Sequence, residues 1–283
     1  MKLTPQQLSF FDTFGFLNFP GLFAEDVGKI TDTFERIWME HGGGHDGRPH
    51  DGKQRSALVP FIDMDEYLSG LIDDPRIDDV ISSLLGDDYN YTGSDGNYYV
   101  GDTAWHSDGY LKHPKYTSVK MALYLDPVTS DTGCLRVIPG SHRMNDRFSG
   151  ALQQVNPSSK ENTSEQKWGV YGSAVPAVPL PSEPGDLLMF NHRIKHSSWG
   201  GSDRRRMFTL NFQERFAAED LDDLREDLSG KARFWLDEAY GEAMLRTASP
   251  NRMVHLEQRL ANADHLPALA AKAREEMSEP ARG

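Results

Sequence analysis

The stretch EPGDLLMFNHRIKHSSWGGSDRRRMFTLNF (183–212) holds two short runs of strand character, DLLMF (186–190) and MFTLNF (207–212). Between them lies a polar turn with two histidines and three arginines. Side chains alternate along a strand, so the second run has two registers. If Arg205 faces inward, so do Met207, Thr209 and Asn211, and Phe208, Leu210 and Phe212 pack outward against a helical layer. If Arg206 faces inward, the apolar set does. A ligand pocket needs small and polar liners, which favours Arg205.

Working outward, similar runs recur at NYYV (97–100), SVKMALYLD (118–126) and CLRVIP (134–139), separated by glycine and proline. Many short strands with such punctuation predict a sandwich or barrel. Before them, Thr4-Pro5 reads as an N-cap and first helical residue for a helix over 5–14, stopped by Gly15. A strand is expected at Phe16–Phe19. A helix over 25–40 places Val27, Ile30, Phe34 and Ile37 on one stripe, and another is expected over 75–86. The glycine-rich segment 41–52 reads as a mobile loop or lid, whose His41, His45 and His50 lack the spacing of a second metal site. Residues 144–184 read as one long polar loop. Residues 217–283 read as helices broken near Ser249-Pro250, frayed from about Met277. The expected class is α+β: a double-stranded β-helix (jelly-roll) core over about 89–216, flanked by N- and C-terminal helices, as one domain across 1–283.

The chain has 283 residues, 38% hydrophobic and 26% charged, with a formal net charge of -13. That acidity argues against nucleic acid or an anionic membrane as partner. Cys134, the single cysteine, excludes an internal disulfide and is expected as a buried, inert thiol. No signal peptide and no membrane span is read, so a cytoplasmic location is expected.

The chemistry is concentrated at Trp105-His106-Ser107-Asp108-Gly109. His106 and Asp108 are two apart, so an extended backbone points both to one face. A distant histidine, His196 or His192, can join them once a jelly roll lays its strand alongside. Two imidazoles and one carboxylate on one side of a metal leave the other positions open, which suits iron(II) with dioxygen and a chelating cosubstrate. Among Arg204, Arg205 and Arg206, one guanidinium would pair with a cosubstrate carboxylate in a planar, two-point contact.

These residues resemble the phytanoyl-CoA dioxygenase family. The resemblance runs from Leu3 to about Phe212, through LTPQQLSFFDTFGFLNFPGLF (3–23), WHSDG (105–109), TGCLRVIPGSHR (132–143) and the stretch 183–212. It implies a non-haem iron(II)- and 2-oxoglutarate-dependent dioxygenase. The family's histidine-small-serine triplet matches His196-Ser197-Ser198, which implies His106, Asp108 and His196 as metal ligands. It further implies Ser198, Arg205 or Arg206, and Asn97 as 2-oxoglutarate contacts, with Ala122 where some members carry a tryptophan. It also implies dioxygen as cosubstrate, with ascorbate as a candidate accessory reductant. Halogenating relatives have a small residue in place of Asp108, so the carboxylate implies hydroxylation or related oxidation. His142, in the hairpin, is expected to be structural.

The substrate is expected to be a small molecule, with Tyr99, Tyr110, Lys112, His113, Trp168 and Trp199 as candidate pocket liners. The competing readings are a non-catalytic jelly-roll binding protein and a cupin-type metal-dependent isomerase or hydrolase.

Overall fold

In the computed structural model, residues 1–109, 114–153 and 163–283 are described. The strands among them are β1 (Phe16–Phe19), β2 (Ser56–Leu58), β3 (Asn90–Tyr99), β4 (Thr103–His106), β5 (Ser118–Tyr124), β6 (Leu135–Val137), β7 (Val178–Leu180), β8 (Leu187–Asn191), β9 (His196–Ser198) and β10 (Arg205–Gln213). The fold is α+β, with antiparallel sheets of the double-stranded β-helix type and helices towards both ends of the chain. The chain divides into two compact units. One comprises Met1–Leu3, Gly28–Tyr98 and Phe208–Gly283; the other comprises Thr4–Val27 and Tyr99–Met207.

The second unit opens with the helix Pro5–Phe14. Thr4 Oγ1 accepts from Gln7 N at 3.2 Å, and Gln7 Oε1 accepts from Thr4 N at 2.9 Å, a reciprocal cap that satisfies two orphan donors. β1 follows and pairs with β8, and β8 pairs with β5, with Phe16 opposite Phe190 and Ala122 opposite Leu188. A four-stranded sheet has the order β4-β9-β6-β7. Phe16, Ala122, Cys134, Val137, Leu188 and Phe190 belong to one buried cluster, each large side chain stabilising it by about 1.5–3 kcal/mol. Cys134 is fully buried there, and burial pushes its thiol up. His142 is buried and its Nε2 bonds Asp12 O at 3.1 Å.

In the first unit the helix Val27–Glu40 buries Ile30, Thr33, Phe34, Ile37 and Trp38. β2 pairs with β3, Ala57 opposite Asn97. Asp74 caps the helix Pro75–Leu85, accepting from Arg76 N at 2.8 Å. Phe208 packs against Phe61 with ring centres 5.8 Å apart and planes tilted by 40°, and Phe212 meets Tyr89 edge-on at 5.5 Å, while Asn211 donates to Gly93 O at 3.1 Å. The C-terminal helices include Leu221–Ser229, Pro250–Val254 and Leu266–Glu276, with Ser249 capping the second.

Several expectations are corrected. The segment 41–52 is mostly exposed but is anchored at His45, which is buried, with Nδ1 3.1 Å from Ala57 O and Nε2 2.9 Å from Pro280 O. The C-terminal residues are docked, Ala281 N donating to Arg233 O at 2.8 Å and Arg282 Nη1 to Arg55 O at 2.7 Å. The region 144–184 contains the helices Arg147–Leu152 and Thr163–Trp168 and the strand β7. β3 begins at Asn90, well before the expected NYYV, because ladder pairing recruits a polar, glycine-containing run that has no apolar alternation. Among the described residues, no helix is long and apolar enough to cross a membrane.

Candidate metal centre

The candidate site lies in the second unit, where β4 and β9 pair antiparallel with His106 opposite His196. The imidazole centres are 4.1 Å apart and tilted by 52°. Each ring is oriented by a backbone carbonyl two residues earlier. His106 Nδ1 donates to Ala104 O at 2.8 Å, and His196 Nδ1 to Ile194 O at 2.9 Å. A carbonyl only accepts, so these bonds assign the proton to Nδ1 and leave the Nε2 lone pair available to a cation.

Asp108 stands just beyond β4, its N–H donating to His192 O at 2.9 Å. Its Oδ1 is 3.4 Å from His106 Nε2 and 3.9 Å from His196 Nε2. Donors held about 2.0–2.2 Å from one small divalent ion lie roughly 3–4 Å apart, so this spacing suits a shared cation. His106, Asp108 and His196 form the metal-compatible cluster among the described residues, and His192 is outside it.

Electrostatics keep the donors in their ligating forms. Burial alone would favour a neutral Asp108, but the Lys120 ammonium, 2.5 Å from Oδ2, and both imidazoles outweigh it and hold the carboxyl well below the usual range. Burial and the neighbouring His106 push His196 down to about 3, so its ring is neutral at pH 7.

The three arginines differ sharply in their surroundings. Arg204 is exposed. Arg206 is engaged by Asp126, through Nε to Oδ1 at 3.0 Å and Nη2 to Oδ1 at 2.5 Å. Arg205 is 3% exposed, yet among the described residues its Nε and Nη1 have no hydrogen-bond partner. Its guanidinium fills a slot in which a Cβ at Gly133 or Gly201 would come within 1.9 or 2.1 Å of Nη1. Gly133 also has φ +93°, a backbone that side-chain-bearing residues rarely adopt. Ser198 Oγ donates to Gly133 O at 2.8 Å, and the Tyr99 ring lies 5.4 Å from the guanidinium carbon. A buried guanidinium with unpaired donors is unfavourable unless an anion meets it.

The other residues singled out from the sequence have these surroundings. Trp199 belongs to an apolar cluster with Trp105, Ile138 and Val175, and its Nε1 donates to Ser197 Oγ at 2.9 Å. It lies just past the end of β9 and is 7% exposed. Trp105 Nε1 donates to Gly172 O at 2.8 Å beside it. Trp168 is a partly exposed residue at the end of its helix. In the first unit, the Asn97 amide is occupied by Arg55 Nε at 2.8 Å and by Asp95 Oδ2 at 2.6 Å. Tyr110, Lys112 and His113 lie outside the described residues. Sequence reasoning missed Lys120. The available signal was a lone charge in the apolar strand SVKMALY, on the same face as Ala122 and Tyr124.

Comparison with known proteins bears on the family and the fold. The family model described as Phytanoyl-CoA dioxygenase (PhyH) matches residues 11–208. The chain is similar to ectoine dioxygenase of Sphingopyxis alaskensis, with 29% identity over 153 residues, covering 47% of this chain and 48% of that protein. It thus spans about half the length of that curated relative. Among solved structures, it resembles EctD from S. alaskensis with bound Fe (TM-score 0.56, 21% identity, covering 75% of this chain and 76% of that one). It also resembles HygX from Streptomyces hygroscopicus with nickel and 2-oxoglutarate bound (TM-score 0.58, 16% identity, covering 76% of this chain and 89% of that one). At these identities the structural likeness is one of fold. The family match runs from within the first helix through both histidine-bearing strands to Phe208, and on that ground the chain belongs to the phytanoyl-CoA dioxygenase family.

Proposed function

We propose that the protein is a non-haem iron(II)- and 2-oxoglutarate-dependent dioxygenase that hydroxylates, or otherwise oxidises, a small molecule. His106, Asp108 and His196 hold the iron through two neutral nitrogens and one anionic oxygen, a donor set suited to iron(II) with open positions. Arg205 receives the distal carboxylate of 2-oxoglutarate, with Ser198 beside it. The observation carrying this reading is the buried Arg205, unpaired at Nε and Nη1, in the same unit as the histidine–carboxylate cluster. A metal-dependent hydrolase or isomerase has no use for that second anion site.

When bound, iron, 2-oxoglutarate and dioxygen together supply a four-electron reduction of dioxygen. Two electrons come from decarboxylation of 2-oxoglutarate to succinate and carbon dioxide, and two from the substrate. The chain contributes placement. The carbonyls of Ala104 and Ile194 fix the histidine tautomers. The glycines at 133 and 201 admit the guanidinium, and Asp126 keeps Arg206 engaged elsewhere. Asp108, as an intact carboxylate ligand, favours oxygenation over halide binding.

The test is anaerobic titration of the protein with iron(II) and 2-oxoglutarate, followed by exposure to oxygen with candidate substrates. A visible charge-transfer band needing both components, and succinate formed with oxygen uptake, are expected. Metal binding without any affinity for 2-oxoglutarate would overturn the reading and favour a hydrolase or isomerase.

A further inference from the structure

We propose that Lys120 is a positioning residue of this metal centre: its ammonium holds Asp108 by Oδ2, so that Oδ1 alone is presented to the two histidines. The inference rests on the metal-centre reading and adds to it a residue outside the ligand set.

The two histidines are fixed by strand pairing and by their Nδ1 bonds to backbone carbonyls. Asp108 has no such support, because it lies past the end of β4. Its backbone is tied to His192 O, but its side chain could still turn. The restraint comes from the other sheet. Lys120 sits in β5 opposite Phe190, whose ring is 5.0 Å from that of His196. From there Nζ reaches Asp108 Oδ2 at 2.5 Å, while Oδ1 faces His106 Nε2 and His196 Nε2.

The placement is costly without a purpose. Val119, Met121, Ala122 and Leu123, the neighbours of Lys120 in β5, are all at most 2% exposed. The lysine and aspartate side chains are 19% and 20% exposed, a partly exposed pair. Holding a long lysine there costs rotamer entropy and desolvation. What it gains is control of carboxylate mode. A free carboxylate can bind a cation through both oxygens and fill an additional position. With Oδ2 in a charge-assisted hydrogen bond, two-oxygen binding would have to break that bond. One-oxygen binding leaves positions for a chelating cosubstrate and dioxygen.

Positioning and simple charge make opposite predictions. A fixed ammonium beside a divalent cation repels it, so if charge were all, removing Lys120 would tighten metal binding. If Lys120 positions the carboxylate, removing it weakens binding, by about tenfold or more for the loss of an outer partner of a ligand.

The experiment uses the full chain and cobalt(II), a redox-silent stand-in whose visible spectrum reports coordination number, without 2-oxoglutarate. Lys120→Met should bind cobalt about tenfold more weakly with an altered visible spectrum, and Lys120→Arg should restore both. Lys120→Gln serves if the methionine variant does not fold by thermal melting. Cobalt binding as tight as the parent's or tighter, with an unchanged spectrum, would overturn the proposal. A parent protein that takes up no cobalt would instead sink the metal-centre reading itself, and this proposal with it.

Discussion

Gly133 and Arg205 are fitted to each other so closely that a methyl group on residue 133 would lie 1.9 Å from Nη1 of the arginine. The glycine is far from the arginine in sequence and contributes no side chain, yet its absence of one makes the guanidinium slot. Gly133→Ala should therefore push Arg205 aside and weaken 2-oxoglutarate binding by about tenfold or more, equivalent to about 1.4 kcal/mol. Cobalt(II) binding should be retained. Calorimetric titration of both ligands checks this; unchanged 2-oxoglutarate affinity would show that the slot is not the cosubstrate site.

Arg205 and Arg206 should separate cleanly. Arg205→Ala removes the buried partner of a carboxylate, and a loss of about 2–5 kcal/mol in 2-oxoglutarate binding is expected. Arg206→Ala breaks a partly exposed pair with Asp126, of which 23% and 28% of the side chains are exposed. Its cost is about 0–1 kcal/mol of stability, with cosubstrate affinity near the parent value. Measuring 2-oxoglutarate-dependent succinate formation against cosubstrate concentration would distinguish them, and a reversed order would reassign the arginine.

The two candidate histidines in the 192–196 stretch can be told apart in the same way. His106→Ala, Asp108→Ala and His196→Ala should each lose stoichiometric iron and turnover. His192→Ala should keep its iron, since it lies outside the ligating cluster. Metal analysis after gel filtration decides; iron lost from His192→Ala but kept in His196→Ala would move the third ligand.

Much of this was legible in the sequence for a physical reason. The parity of Arg205 along β10 depends on strand alternation, which is local, and helix caps such as Thr4 and Ser249 are local as well. What was not legible depends on distant partners. Lys120 reads as a stray charge until the opposite sheet brings Asp108 to it. Trp199 reads from sequence equally as a pocket liner or as core, and its packing against Trp105 and Val175 depends on residues distant in the chain. The glycine-rich segment 41–52 looked mobile because its composition carries no record of the C-terminal residues that cover His45.

Buried neutral histidines outside the metal centre should shape the acid limb of stability. Burial lowers both His142 and His255, against the opposing effects of Asp12 O and of Tyr89 O and Asp78. A folded-state value below the unfolded one means that the unfolded chain takes up more protons at low pH. Stability is therefore complete above the ordinary imidazole value of about 6.5 and declines as pH falls below it. His255→Gln and His142→Gln should each flatten that decline in urea melts run from pH 7.5 to pH 5. Parallel pH profiles for parent and variants would contradict it.

His45 supplies the last test, because it ties the glycine-rich segment to the end of the chain. Its Nδ1 lies 3.1 Å from Ala57 O and its Nε2 2.9 Å from Pro280 O while the residue is 4% exposed, so the ring sits between two backbone carbonyls more than two hundred residues apart and its one N–H donates to one of them. Removing residues 278–283 would take away one of these carbonyls and the bonds from Ala281 to Arg233 and from Arg282 to Arg55. Leaving a buried polar group unmet costs about 1–3 kcal/mol, so His45→Ala and the truncation should each lower stability by that order. Because both act on the same contact, the double variant should lose less than the sum of the two. Limited proteolysis should then cut within 41–52 in the truncated chain, while the intact chain resists. Equal cleavage in both would return this segment to the mobile loop that its composition suggests.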